Sequence, residues 1–147
     1  MLKERLNEQL KTAMLAGDKP RVEVLRGLKA AILHEEVALG IRDTGLADDK
    51  ILQVFAREVK KRNEAAEIYT KAERHELADT ERAQKVIIEE FLPEQLSDDE
   101  LNEVITTVIA EVGDAVHMGQ VIGAVKAKVG QTVDGGRIAA AVKARVG

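Results

Sequence analysis

The stretch EFLPEQLSDDEL, Glu90 to Leu101, decides how the chain is organised. Pro93 has no backbone N–H and restricts the residue before it, so a helix arriving through Phe91 must stop there. Four residues on, Ser97-Asp98-Asp99-Glu100 sets a serine and a glutamate three apart. Each side chain can then accept from the other's backbone N–H, a capping box that starts a new helix. Stop and start this close predict a linker at residues 92–96, an N-terminal part over 1–92 and a C-terminal part over 93–147. The charge balance changes at the same place: 17 basic and 18 acidic residues before it, 5 and 8 after it.

Upstream, apolar residues recur at helical spacing. Leu2, Leu6, Leu10 and Met14 form one stripe that Gly17 ends. Asp18 and Pro20 read as an N-cap and a first-turn proline, and Val22, Leu25, Leu28, Ile32 and Leu39 follow as far as Gly40. After the loop GIRDTGL, Asp48 and Asp49 open the longest segment, striped by Ile51, Phe55, Val59, Ala66 and Tyr69. A break is expected at residues 72–75, then a helix faced by Leu77, Ile88 and Phe91. Downstream, three short stripes end at Gly113, at Gly130 and near the last residue, the third with Asp134 as its cap. The expectation is an all-α protein: an N-terminal bundle of about four helices and a small three-helix C-terminal domain. Its helices fall at 2–16, 19–39, 48–71, 75–91, 98–112, 118–129 and 135–146.

Composition narrows the chemistry. The 147 residues contain no cysteine, which excludes disulfides, thiolate metal sites and a cysteine nucleophile. Hydrophobic residues are 45% but aromatics only 2%, so the core must be aliphatic. No apolar run approaches a membrane span of about 18 residues, and the charged N-terminus MLKERLNEQLK does not read as a signal peptide, so a cytoplasmic location is expected. His34, His75 and His117 lack metal-ligand spacing, so no metal is expected. The one serine, Ser97, is better used as a cap than as a nucleophile, and neither a Walker loop nor a GxGxxG occurs, so no cofactor is expected.

Two groups of polar residues stand out. On a helical wheel Arg62 falls within about 20° of Phe55, inside the apolar stripe, where an arginine must be paired or must reach out to water. Glu36 lies similarly between Ile32 and Leu39, and Glu81 between Leu77 and Ile88. The expectation is a half-buried cluster of Arg62 with Glu36 or Glu81, either a register-fixing ion pair or a charge facing a cleft. Lys60 with Glu64, and Glu58 with Lys61 or Arg62, have ordinary solvated-helix spacing.

The second group lies in residues 113–147, where Lys126, Lys128, Arg137, Lys143 and Arg145 face only two acids, Asp114 and Asp134. Gly119 and Gly123 stand one turn apart opposite Val121 and Val125, and two helix-interior glycines cost about 1 kcal/mol each against alanine. Either they admit a close neighbouring helix, or they admit a sugar–phosphate backbone. Gly135 precedes a helix start whose N–H groups can receive phosphate, which Asp134 opposes. No aromatic lies in residues 92–147, so any RNA contact there would read shape and phosphate, not bases.

Three blocks, KKRNEAAEIYTKAERHELADTE (60–81), EFLPEQLSDDEL (90–101) and MGQVIGAVKAKVGQTVDGGRIAAAVK (118–143), closely resemble the GatB/YqeY family, and LRGLKAAILHEEV (25–37) fits its N-terminal part. The positions matching its C-terminal block are Met118, Gly119, Gly123, Lys126, Gly130, Asp134 and Gly135. The resemblance is to a stand-alone YqeY-like protein, since the large catalytic portion of the amidotransferase B subunit has no counterpart. It implies an all-helical bundle followed by a smaller helical domain related to that subunit's tail, which is associated with tRNA engagement. The expected function is a non-catalytic tRNA-associated binding module, with tRNA and an amidotransferase or another translation-related protein as partners, and with no DNA and no membrane. Gly119, Gly123, Lys126, Lys128, Gly135, Arg137, Lys143 and Arg145 are its candidate RNA-binding residues, and no catalytic residue carries over. The alternatives are an amidotransferase-like carbon–nitrogen ligase with glutamine as amido donor, for which no ATP or ammonia site is visible, and a protein–protein adaptor.

Overall fold

The computed structural model describes residues 1–113 and 117–146, and it is all-helical. Asp114, counted in the charge balance above, and the side chain of Val146 lie outside the described residues. The chain divides into two compact units, Met1–Leu92 and Pro93–Gly147.

The first unit is two helical hairpins. α1 (Leu2–Ala16) and α2 (Lys19–Leu39) are joined by Gly17, whose φ of 70° is left-handed and lets its N–H turn back to the carbonyl of Met14. Asp18 Oδ1 accepts from the Arg21 N–H at 3.2 Å, so the aspartate and Pro20 set the start of α2 as expected. α3 (Asp48–Lys71) and α4 (His75–Glu89) form the second hairpin. Its turn holds Glu73 at φ 60°, and the Arg74 N–H donates to the Tyr69 carbonyl at 2.8 Å. α4 ends at Glu89 rather than at 91 as predicted. The approach to Pro93 tightens the last turn, with Phe91 N–H donating to the Ile88 carbonyl and Leu92 N–H to that of Glu89.

The core of this unit gathers most of the predicted stripes, but Met14, Leu39 and Leu77, expected on them, are exposed. Leu25, Leu28, Ile51, Phe55 and Ile88 are fully buried. Phe55 and Phe91 meet edge to face, ring centres 5.6 Å apart. The Arg5 guanidinium lies 5.0 Å from the Phe91 ring centre and donates to the Glu90 carbonyl at 2.9 Å, while Arg21 pairs with the Glu90 carboxylate at 2.8 Å. Two helices therefore clamp the end of α4.

The expected cluster of Arg62 with Glu36 or Glu81 does not form. Arg62 Nη1 turns along its own helix to the Glu58 carboxylate at 3.0 Å and the Glu58 carbonyl at 3.1 Å, leaving Nε buried without a partner. A partner one turn away costs less side-chain ordering than one on another helix. Lys61 also reaches Glu58, at 3.8 Å. Glu36, 4% exposed, instead pairs with Lys3 of α1 and accepts from the Leu46 N–H at 2.7 Å. Its carboxyl is held below the usual carboxylate range by the hydrogen bond from Lys3, against the opposing effect of burial. Glu81 makes no hydrogen bond or ion pair among the described residues.

The second unit is α5 (Asp98–Val112), α6 (Met118–Val129), a single 3-10 turn at Gly130–Thr132, and α7 (Gly135–Val146). The Ser97–Glu100 capping box forms on both sides, at 3.1 and 3.2 Å, and the Ser97 backbone N–H holds the Glu100 carboxyl below its usual range. Ile105, Val108, Val121, Val125, Ile138 and Val142 are fully buried in a core with no aromatic ring. The stretch read as a linker is shorter than expected at its far end. Leu96 packs on this core and its N–H donates to the Thr132 carbonyl at 2.9 Å, while Gln95 Nε2 donates to the Gln131 carbonyl at 3.0 Å.

Candidate nucleic-acid interface

α6 is two-faced. Val121, Val125 and Val129 recur every four residues and are buried. Successive residues turn by about 100°, which puts Gly119, Gly123 and Lys126 together on the far side, and all three are exposed. A Cβ built at Gly119 or Gly123 would meet no atom within 4 Å. Of the two readings of these glycines, close helix packing is therefore removed within this unit: their faces are open. Gly135, at the start of α7, is likewise open. Gly136 differs, because a Cβ there would stand 3.0 Å from Asp134 Oδ2. The Asp134 carboxylate thus lies over the first turn of α7 and repels any phosphate directed at that helix end.

The five cations separate into two groups. Arg137 Nη2 donates to the Leu96 carbonyl at 2.9 Å and to Asp98 at 3.0 Å. Lys128 stands 3.4 Å from Glu111, and Arg145 donates to Thr106 Oγ1 at 2.9 Å. All three partners beyond Leu96 lie on α5, so these cations fasten α6 and α7 to that helix. Lys126 and Lys143 are exposed and make no ion pair or hydrogen bond among the described residues. On the α7 wheel Lys143 lies about 100° from buried Val142 and about 140° from buried Ile138, off the core face. Of the five cations read from the sequence, Lys126, with Gly119 and Gly123 beside it on α6, and Lys143 on α7 are the two without such a partner among the described residues.

The anchoring role of Asp98, Thr106 and Glu111 was not read from the sequence. A signal was present: five bases against eight acids in residues 93–147, with every base on α6 or α7 and five of the acids on α5. Such segregation favours pairing across the packed helices. His34, His75 and His117 are exposed and separate, and no group of three or more metal-binding side chains gathers among the described residues. Among the same residues no helix is long and apolar enough to cross a membrane.

Compared with known proteins, residues 3–146 match a family model described as Yqey-like protein. No curated protein matches the chain.

Proposed function

Because the chain belongs to the YqeY-like family, we propose that it is a non-catalytic, tRNA-associated binding module whose contact surface is the open face of α6 together with Lys143. The carrying observation is that, among the described residues, nothing meets the open faces of Gly119 and Gly123 and the lysine beside them makes no ion pair. Two glycines in one short helix weaken it, Gly123 in its interior most, and no packing contact among the described residues requires them. A ligand backbone that must come closer than a methyl group allows does require them. Lys126 next to them selects an anionic chain, and the lack of aromatic side chains in this unit selects phosphate over base. The resemblance to the tail of the tRNA-dependent amidotransferase B subunit supports tRNA as the ligand.

Cytoplasmic residence and a translation-related partner go with this reading. Glutamine-dependent ligase activity has less support, since the sequence displays neither an ATP site nor an ammonia source. The test is titration of the purified chain with tRNA at low salt, with Lys126→Glu/Lys143→Glu as the control.

A further inference from the structure

The first unit carries a second unpartnered surface, independent of the face just described. α2 buries Leu25, Leu28, Ile32 and Glu36 against its own unit. A further apolar stripe, Val22, Ala30, Leu33 and Val37, runs along its flank, with Leu33 43% and Val37 59% exposed. The facing flank of α1 brings Met14, 52% exposed. Two open cavities, about 320 and 450 Å3, lie along this side of the hairpin, the first lined by Lys3, Lys29 and Leu33, the second by Met14, Lys19 and Arg26. From Lys3 to Met14 the groove spans about 17 Å, the length of a helix of about twelve residues.

Charge decides the occupant. Lys19, Arg26 and Lys29 make no ion pair among the described residues, Glu36 is already neutralised by Lys3, and Glu23 is the one remaining acid lining either cavity. An apolar stripe with Arg26 set within it and Lys29 at its edge, on a unit with 17 bases and 18 acids, fits an apolar stripe that carries carboxylates. We propose that the α1–α2 groove docks an amphipathic α-helix of a partner protein, its apolar edge against Leu33, Val22 and Met14 and its Asp or Glu side chains against Arg26 and Lys29. A third helix in the furrow between two others is ordinary ridge-and-groove packing. A nucleic acid would leave the apolar floor uncompensated. A second copy offers no match from its most acidic helix, because α5 buries Leu101, Ile105 and Val108 in its own core.

The experiment is selection of displayed helical peptides on the full chain, the peptides sharing one leucine stripe and carrying acidic, neutral or basic flanks. Acidic flanks should dominate, and the winning peptide, made synthetically, should shift backbone amide resonances of Asn7, Met14, Ala30 and Leu33. Arg26→Glu/Lys29→Glu should weaken it by about tenfold or more, and Leu33→Ser similarly, with unchanged circular dichroism. No enrichment, enrichment of neutral or basic flanks, shifts outside α1 and α2, or displacement of the peptide by tRNA would each overturn the assignment. So would self-crosslinking of a Leu33→Cys chain, whose new thiol would be its sole cysteine.

Discussion

Gly119 and Gly123 lie one turn apart on the solvent face of α6, and a methyl group added to either would touch nothing among the described residues. The fold gains nothing from them, and so replacing them separates folding from binding. Gly123→Ala should stabilise the protein by about 0.5–1 kcal/mol, because alanine loses less backbone entropy in a helix interior, and Gly119→Ala, in the first turn, by less. The same variants should weaken tRNA binding. Urea unfolding followed by circular dichroism measures the first effect and tRNA titration the second. A rise in stability without a fall in affinity would remove the glycines from the interface.

The Lys3–Glu36 pair predicts an acid response. Glu36 has a lowered carboxyl pKa in the folded chain and an ordinary one, 4.5, when unfolded. The unfolded state therefore takes up its proton first as pH falls. The stabilisation is complete above pH 4.5 and is lost as pH drops from there through the folded value. Glu36→Gln keeps an acceptor for the Leu46 N–H but gives up the charge. It should cost about 1–3 kcal/mol at neutral pH, and the gap from the parent should close below pH 4.5. Unfolding free energies measured from pH 7 to pH 3 would show it, and a gap independent of pH would contradict it.

Arg62 makes the opposite prediction. Its guanidinium is held by Glu58 on the same helix and its Nε is buried without a partner. Exchanging such a group for an apolar one of similar length removes an unsatisfied donor as well as an ion pair. Arg62→Met should change stability by less than about 1 kcal/mol and leave tRNA binding untouched. A loss of several kcal/mol in thermal or urea unfolding would mean that Arg62 holds more than one turn of α3.

All seven helices were legible in the sequence because their signals are local. Gly17, Asp18, Pro20, Ser97 with Glu100, and Pro93 each act within a turn of where they stand. What was not legible required two helices at once. Nothing in the spacing of α2 shows that Glu36 meets Lys3, thirty-three residues away, or that Asp98 removes Arg137 from the open surface. A helical wheel shows which residues share a face, but not which groups on another helix come to meet it. The 3-10 turn at Gly130–Thr132 escaped for a related reason, since Val133 behind it is fixed by the core of the second unit.

The central claim is that Lys126 and Lys143 meet phosphates across an open face. It is tested most directly by the affinity for tRNA as a function of salt. The parent chain should bind at low salt, and the logarithm of its association constant should fall against that of salt with a slope of about −2, the counterions of two neutralised phosphates being released on binding. Lys126→Glu/Lys143→Glu should abolish binding with unchanged helicity. No binding by the parent, or equal binding by the double variant, would contradict the account.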